Sequence, residues 1–226
     1  MSFIITTQKL SKIYTEKDSA IQTKALDNIN LAIEEGDFVA IAGPSGSGKT
    51  TLLNMMGALD TPTNGEVVVD GTLLSSLNKT EQAEFRLKKI GFVFQAYNLI
   101  DTLTAIENAE YVMVLQDIPA RRRRHETFQV FKDLGLANYV NRKPSELSAG
   151  QQQRVAVARA ILAKPKLILA DEPTANLDSQ TGSDLIDLMH LMNKNLGITF
   201  IFATHDKMVM DKTQTLIQLH DGRIVG

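Results

Sequence analysis

Cysteine is missing from this chain of 226 residues. Disulfides and thiolate metal sites are therefore excluded, and any bound metal must rest on oxygen or nitrogen ligands. The absence fits a reducing cytosol. Net charge is also small, −2 at pH 7, so no overall field recruits nucleic acid. No stretch approaches the ~20 apolar residues that cross a bilayer. The run Met1-Ser2-Phe3-Ile4-Ile5-Thr6-Thr7 meets polar residues too soon for the apolar region of a signal peptide. Internal repeats, low-complexity tracts and obvious linkers are lacking too. Left to itself such a chain is expected in the cytosol, with any membrane role reached through a partner. What remains is 43% hydrophobic and 22% charged, an ordinary globular composition for one large domain or a core with a subdomain.

The most informative stretch is Gly43-Pro44-Ser45-Gly46-Ser47-Gly48-Lys49-Thr50, which fits G-x-x-x-x-G-K-[ST] at every fixed position. Glycines in such a loop let successive backbone N–H groups converge on a nucleotide's phosphates. Lys49 then reaches the β- and γ-phosphates, and the Thr50 hydroxyl holds Mg²⁺. Phe38–Ala42 reads as a buried strand entering the loop, and Thr51–Met56 as a helix leaving it with its positive end toward the phosphates. The chain is expected to bind a nucleoside triphosphate.

Before the loop, Ile4–Leu10 and Leu26–Ile33 read as strands separated by the turn-prone Thr15–Ser19, with no helix pattern after either; an antiparallel layer is expected. Glu34-Glu35-Gly36-Asp37 turns the chain into the buried strand. Gly65–Val69 followed by Asp70-Gly71 signals a hairpin, and Gly91–Phe94 a short strand ending at Gln95. From about Leu99 to Leu147 the pattern turns helical, with starts near Thr104 and Arg122; this block reads as a helical subdomain inserted into an α/β core. Helix and strand then alternate over Gln151–Ala163, Leu167–Ala170, Thr181–Asn195 and Thr199–Ala203, which argues for parallel strands with helical crossovers.

Leu167–Ala170 delivers two carboxylates, Asp171 and Glu172, to one strand end. Asp171 is expected to support Mg²⁺ beside Thr50. Glu172, on the opposite side by strand alternation, is left free to polarise an attacking water as general base. Thr199–Ala203 likewise leads to His205, a candidate for the γ-phosphate or the attacking water. Gln95 offers an amide to the metal or that water. Ser148 and the Gly150 amide, in Leu147-Ser148-Ala149-Gly150-Gln151-Gln152-Gln153-Arg154, form either a second anion site or an ordinary helix cap.

The ordered set Gly43–Thr50, Gln95, Leu147–Gln151, Asp171-Glu172, Ala175-Asn176-Leu177-Asp178 and His205 resembles the nucleotide-binding subunit of an ATP-binding cassette (ABC) transporter over nearly the whole chain. The resemblance implies a phosphate-loop α/β core with a mixed sheet, an N-terminal antiparallel layer and an inserted helical subdomain. The core covers residues 1–95 and about 148–226, and the subdomain about 96–147. It also implies an ATPase with ATP and Mg²⁺, in which Tyr14 stacks on adenine and Thr51 joins the ATP contacts. Thr50, Gln95 and Asp171 serve the metal, and Glu172 and His205 serve catalysis. Two copies would pack head to tail around two ATP molecules, each held between one loop and the partner's Ser148–Gln151, with Asp178 coupling the sites. Gln95 would report nucleotide state to an integral membrane permease, placing the subunit on the inner face of the cell membrane. One departure is Ala149, where the family usually carries glycine; a methyl there is tolerated if its φ is negative but weakens closure if the backbone must approach phosphate closely, and activity is expected to survive.

Asn54–Gly71, Lys89–Glu107 and Lys143–Ile161 are similar to a subgroup serving lipoprotein release, macrolide-type efflux or related envelope work. The chain's end soon after His205, at Leu216–Leu219 and Asp221-Gly222-Arg223, leaves no regulatory domain and fits that subgroup. Tyr97-Asn98-Leu99-Ile100 is a candidate groove for a permease helix, the other reading being core packing by Leu99 and Ile100, which is compatible with it; Arg121–Arg124 is expected to be a solvated stretch leading into a helix rather than a lipid site. The alternative is a soluble ABC ATPase acting on nucleic acid or ribosomes. Against it, the segment between Gln95 and Ser148 is short and has no heptad pattern, and 226 residues cannot hold two cassettes. A small-molecule kinase would leave Leu147–Gln151 and His205 unexplained.

Overall fold

A computed structural model describes residues 2–15 and 22–225. Most of the expected turn at Thr15–Ser19 lies outside them. Two sheets organise the rest. The first is antiparallel, built from β1 (Phe3–Thr15), β2 (Gln22–Glu34), β4 (Asn64–Val69) and β5 (Thr72–Leu73) in the order β2-β1-β4-β5. Asp70 (φ 46°) and Gly71 (φ 72°) join β4 to β5 through two left-handed residues, the backbone that matches the twist of a hairpin.

The second sheet has six strands in the order β10-β9-β3-β8-β7-β6, with β3 Phe38–Ala42, β6 Ile90–Val93, β7 Leu167–Asp171, β8 Thr199–Thr204, β9 Thr215–His220 and β10 Arg223–Ile224. Strands β6, β7, β8, β3 and β9 run parallel, and only β10 returns antiparallel. A parallel sheet covered on both faces needs continuous apolar strands, and all residues of β3 and β8 are buried. Alternate residues serve different cores. Phe38, Ile168, Ala170, Phe200 and Phe202 join one cluster, with Val155, Ile161, Leu185 and Met189. Val39, Ile41, Leu167, Leu169, Ile201 and Ala203 join the other, with Leu52, Met55 and the antiparallel layer.

Seven helices accompany the strands among the described residues: α1 (Lys49–Met56), α2 (Lys79–Lys89), α3 (Ala105–Leu115), α4 (Ala120–Asp133), α5 (Ala149–Leu162), α6 (Ser179–Leu196) and α7 (Lys207–Lys212). Helix α1 begins two residues earlier than expected, at Lys49, and α4 two residues before Arg122. Helix α2 was not expected. None of its residues is fully buried and Phe85 alone packs on the second core, too little for an apolar stripe to betray it, although Asn78 and Glu81 form a capping box at its start. Helices α3 and α4 share one hydrophobic cluster with α5 and the main sheet through Ala109, Met113, Phe131 and Leu134. Among the described residues, no helix is long and apolar enough to cross a membrane.

Candidate functional site at the carboxyl ends of the parallel strands

Four loops leave β3, β6, β7 and β8 at the same edge of the sheet, where ligands of open α/β folds bind. The loop after β3 enters α1 through Gly48, whose φ of 103° is left-handed and whose missing Cβ would lie 2.5 Å from the Ala25 carbonyl oxygen. Only glycine fits there. No side chain caps α1 and no acidic residue occupies its first turn, so its leading N–H groups face an anion unopposed. Behind the loop, the Gly222 N–H donates to the Ser47 carbonyl at 2.9 Å, so the β9–β10 hairpin supports it. A cavity of about 310 Å³ adjoins it, lined in part by Thr23, Gly46, Lys49, Thr50 and Thr51. Buried Lys49 donates through Nζ to the Gly43 carbonyl at 2.7 Å and the Pro44 carbonyl at 3.0 Å.

Asp171 shares the sheet face of Leu167 and Leu169, the face that packs on α1. Its carboxylate accepts from the Thr50 hydroxyl at 3.2 Å. Burial, reinforced by the negative charge of Glu172, raises its pKa above the ordinary value, against the opposing pull of the Thr50 bond and Lys49. This pair of hard oxygen donors matches Mg²⁺, which binds through one or two protein oxygens together with substrate phosphates. Among the described residues there is no cluster of three or more histidines and carboxylates that would cage a metal by itself.

Glu172 corrects one expectation. Alternation would turn it away from Asp171, but β7 ends at Asp171 and Glu172 takes a positive φ of 46°. That twist brings its carboxylate back over the loop. Oε1 lies 2.7 Å from His205 Nδ1 and 4.0 Å from Lys49 Nζ, while Oε2 accepts from the Thr204 hydroxyl at 3.3 Å. The acid and the histidine singled out separately in the sequence are therefore one unit. Thr204 was overlooked; its only signal is its place as the last residue of β8.

The other expected residues fall around this centre. Gln95 is exposed in the turn after β6, and its carbonyl accepts from Asn176 Nδ2 at 2.9 Å. Tyr14 stands on β1 opposite Thr23, outside the cavity lining, with its phenol donating to Asp60 at 2.9 Å and Lys12 4.9 Å from its ring centre. Burial and Asp60 raise the phenol's pKa, and Thr51 opposes them. Ser148 caps α5: its Oγ accepts from the Gln151 N–H at 3.3 Å, and the Gln151 side chain accepts from the Ser148 N–H at 3.0 Å. Accepting that bond leaves the hydroxyl proton free to donate elsewhere, so the cap does not exclude an anion site.

Ala149 is the first residue of α5 and is not among the residues of positive φ, so its methyl is accommodated by helical backbone. The demanding position is Gly150, where a Cβ would lie 2.5 Å from Thr181 Cγ2. That contact presses the start of α5 against α6, whose cap is Asp178, accepting from the Thr181 N–H at 3.0 Å. Hydrogen bonding from the Thr181 side chain, then from its N–H, holds the Asp178 pKa below its ordinary value.

Two further motifs resolve here. Arg121–Arg124 lie within α4 rather than before it; Arg122 and Arg124 pair with Glu126 and Glu110 at 2.6 and 3.4 Å, and Arg123 donates to the Ile118 carbonyl. An apolar groove of about 390 Å³ runs between α2, β6, α3 and α5, lined by Leu59, Phe92, Tyr111, Leu115 and Arg159 among others. Of Tyr97–Ile100 only Asn98 lines it; Leu99 packs against the first core.

The family model described as ABC transporter matches residues 26–175. The Lipoprotein-releasing system ATP-binding protein LolD of Pseudoalteromonas translucida is 39% identical, over 98% of this chain and 94% of its own. The Macrolide export ATP-binding/permease protein MacB of Brucella melitensis is 44% identical over 99% of this chain, which spans 34% of that longer protein. Among solved structures, the dimeric post-hydrolysis state of the cassette MJ0796 of Methanocaldococcus jannaschii, bound to ADP and Pi, superposes with a TM-score of 0.91 at 42% identity, covering 98% of this chain and 97% of that one.

Proposed function

This chain belongs to the ABC transporter family, and on that premise we propose that it is the ATPase subunit driving a membrane permease in export or cell-envelope work, of the lipoprotein-release or macrolide/peptide-efflux type. The soluble alternative acting on nucleic acid or ribosomes is not favoured, because relatives matching nearly the whole chain are named as transporter parts. The observation that carries the mechanism is Glu172 held by His205 and Thr204 beside Lys49.

The chain hydrolyses ATP. The amides of Gly46–Thr50 and the α1 N-terminus cradle the phosphates, and Lys49 exchanges its carbonyl partners for β- and γ-oxygens. Thr51 and Tyr14 border the nucleoside. Glu172 accepts the proton of a water attacking the γ-phosphorus, and His205 steadies the charge on the phosphoryl oxygens. Mg²⁺ would be held by Thr50, Asp171 and Gln95, and would supply neutralisation of the phosphate charge.

Two copies pack head to tail, each Ser148–Gln151 segment closing on the partner's ATP; the dimeric state of the MJ0796 cassette supports the pairing. The Gly150–Thr181 contact joins that segment to Asp178, the coupling residue. The helical block of about 96–147 and the groove beside it receive the permease, whose association places the subunit at the inner face of the membrane.

Mixing a Lys49→Ala chain with a Ser148→Arg chain tests the shared site. Each homodimer has two defective sites, whereas the mixed dimer has one intact site and one doubly defective one. ATPase activity of the mixture should therefore exceed the sum of the two samples measured apart. Activity that never rises above that sum rules out sharing.

A further inference from the structure

Gln153 is fully buried on α5, two residues beyond Gln151, and no role above uses it. Its Nε2 donates to the Pro173 carbonyl at 2.9 Å and more weakly to the Phe94 carbonyl at 3.4 Å. Phe94 precedes Gln95, and Pro173 follows Glu172. Two carbonyls at one end of the amide fix its orientation, since the flipped oxygen would face two acceptors. The Gln153 Oε1 has no hydrogen-bond partner among the described residues. A buried acceptor without a donor is destabilising. A methionine of similar volume would fill the space without that cost, so packing does not account for the amide. Its two donated bonds do.

Those bonds connect three parts of the site that the backbone keeps far apart in sequence. A second link, from Asn176 to the Gln95 carbonyl, ties the same two loops together on their exposed side. Ser148 and Gln153 lie on one rigid helix, separated by little more than one turn. We propose that Gln153 is a positioning residue: it fastens the Gln95 and Glu172 loops to α5, so that seating Ser148 on one ATP sets the base for the other. The inference rests on the two-site reading above.

The test uses the full chain with Gln153→Met, which keeps volume and removes both donors. ATP affinity should stay within about threefold, while kcat falls roughly 10- to 100-fold, the scale of a misplaced catalytic group. In a Glu172→Gln background the same substitution should change the residual rate by less than about twofold, because the group it positions is gone. Unchanged kcat, a loss confined to ATP affinity, or a full additive loss in the Glu172→Gln background overturns the proposal. Should the variant not fold, hydrogen exchange of the unaltered chain decides. On adding ATP, protection should change together at residues 94–97, 148–153 and 172–176, and independent responses overturn the relay. ATP-driven dimerisation of the unaltered chain separates the two readings. Hydrolysis at full rate without dimerisation sinks the two-site premise; dimerisation with an undisturbed Gln153 variant sinks the relay alone.

Discussion

At Glu172 the chain leaves β7 through a left-handed conformation that costs a non-glycine residue about 1–2 kcal/mol. The surroundings hold it there: the Glu172 N–H donates to the Ala203 carbonyl at 2.9 Å while the carboxylate binds His205 and Thr204. If that strained placement serves the base, Glu172→Gln should lower ATP turnover by roughly 10²–10⁴-fold, the usual worth of a positioned acid–base group. ATP binding and the nucleotide-bound dimer should persist. Near-normal turnover in a steady-state assay would remove Glu172 from that role. Its neighbour gives a pH prediction. Burial raises the folded-state pKa of Asp171, so between its ordinary value and the raised one the fold keeps a proton that the unfolded chain has lost. Stability contributed by this group therefore falls as pH rises through that window. Without magnesium, Asp171→Asn should raise the thermal midpoint at pH 7 and flatten its dependence on pH. A lower midpoint for the variant would show that the charged form is not penalised.

Among the elements, the paired N-termini of α5 and α6 are the most sensitive junction. Gly150 meets Thr181 Cγ2 across it, whereas Ala149, one residue earlier, is exposed. Gly150→Ala should impair ATP-driven dimerisation by forcing the two helix starts apart. Adding Thr181→Ser, which lacks the offending methyl, should restore it. Failure of the double variant to recover in a sizing experiment would locate the defect elsewhere. The same junction shows what can be read from residues. Ser148 with Gln151, and Asp178, are cap signals legible in the sequence. The contact between the helices is not, since it depends on a crossover that returns α6 beside α5. Helix α2 was missed for the opposite reason: its cap was visible, but its inward face is reduced to the half-buried Phe85.

For the whole molecule, the groove beside the helical block exposes Tyr111 and Leu115, 42% and 54% accessible, on the same side as the Gln95 loop. Tyr111→Asp with Leu115→Glu should reduce recovery of the membrane partner after mild detergent extraction. ATP hydrolysis by the isolated subunit should remain, because neither side chain reaches the phosphate loop. Equal recovery with and without the substitutions would move the permease contact off this surface. In the Tyr97–Ile100 segment, a candidate for that contact from sequence, Tyr97 and Asn98 turn their carbonyls to Arg159, and Leu99 joins the core as its apolar character allowed.

The order of apolar strands, each followed by a polar residue at its carboxyl end, was determined by the sequence alone. So was the placement of the phosphate loop, Asp171 and His205 at strand ends, because short-range spacing dictates it; the resemblance to a family was needed to single out His205. Tertiary structure alone decided three things. The β9–β10 hairpin supports the loop from behind, Glu172 doubles back to meet His205, and Gln153 spans two loops from a third element. Each depends on contacts between segments distant along the chain. Such contacts follow from how layers pack, and local periodicity carries no record of them.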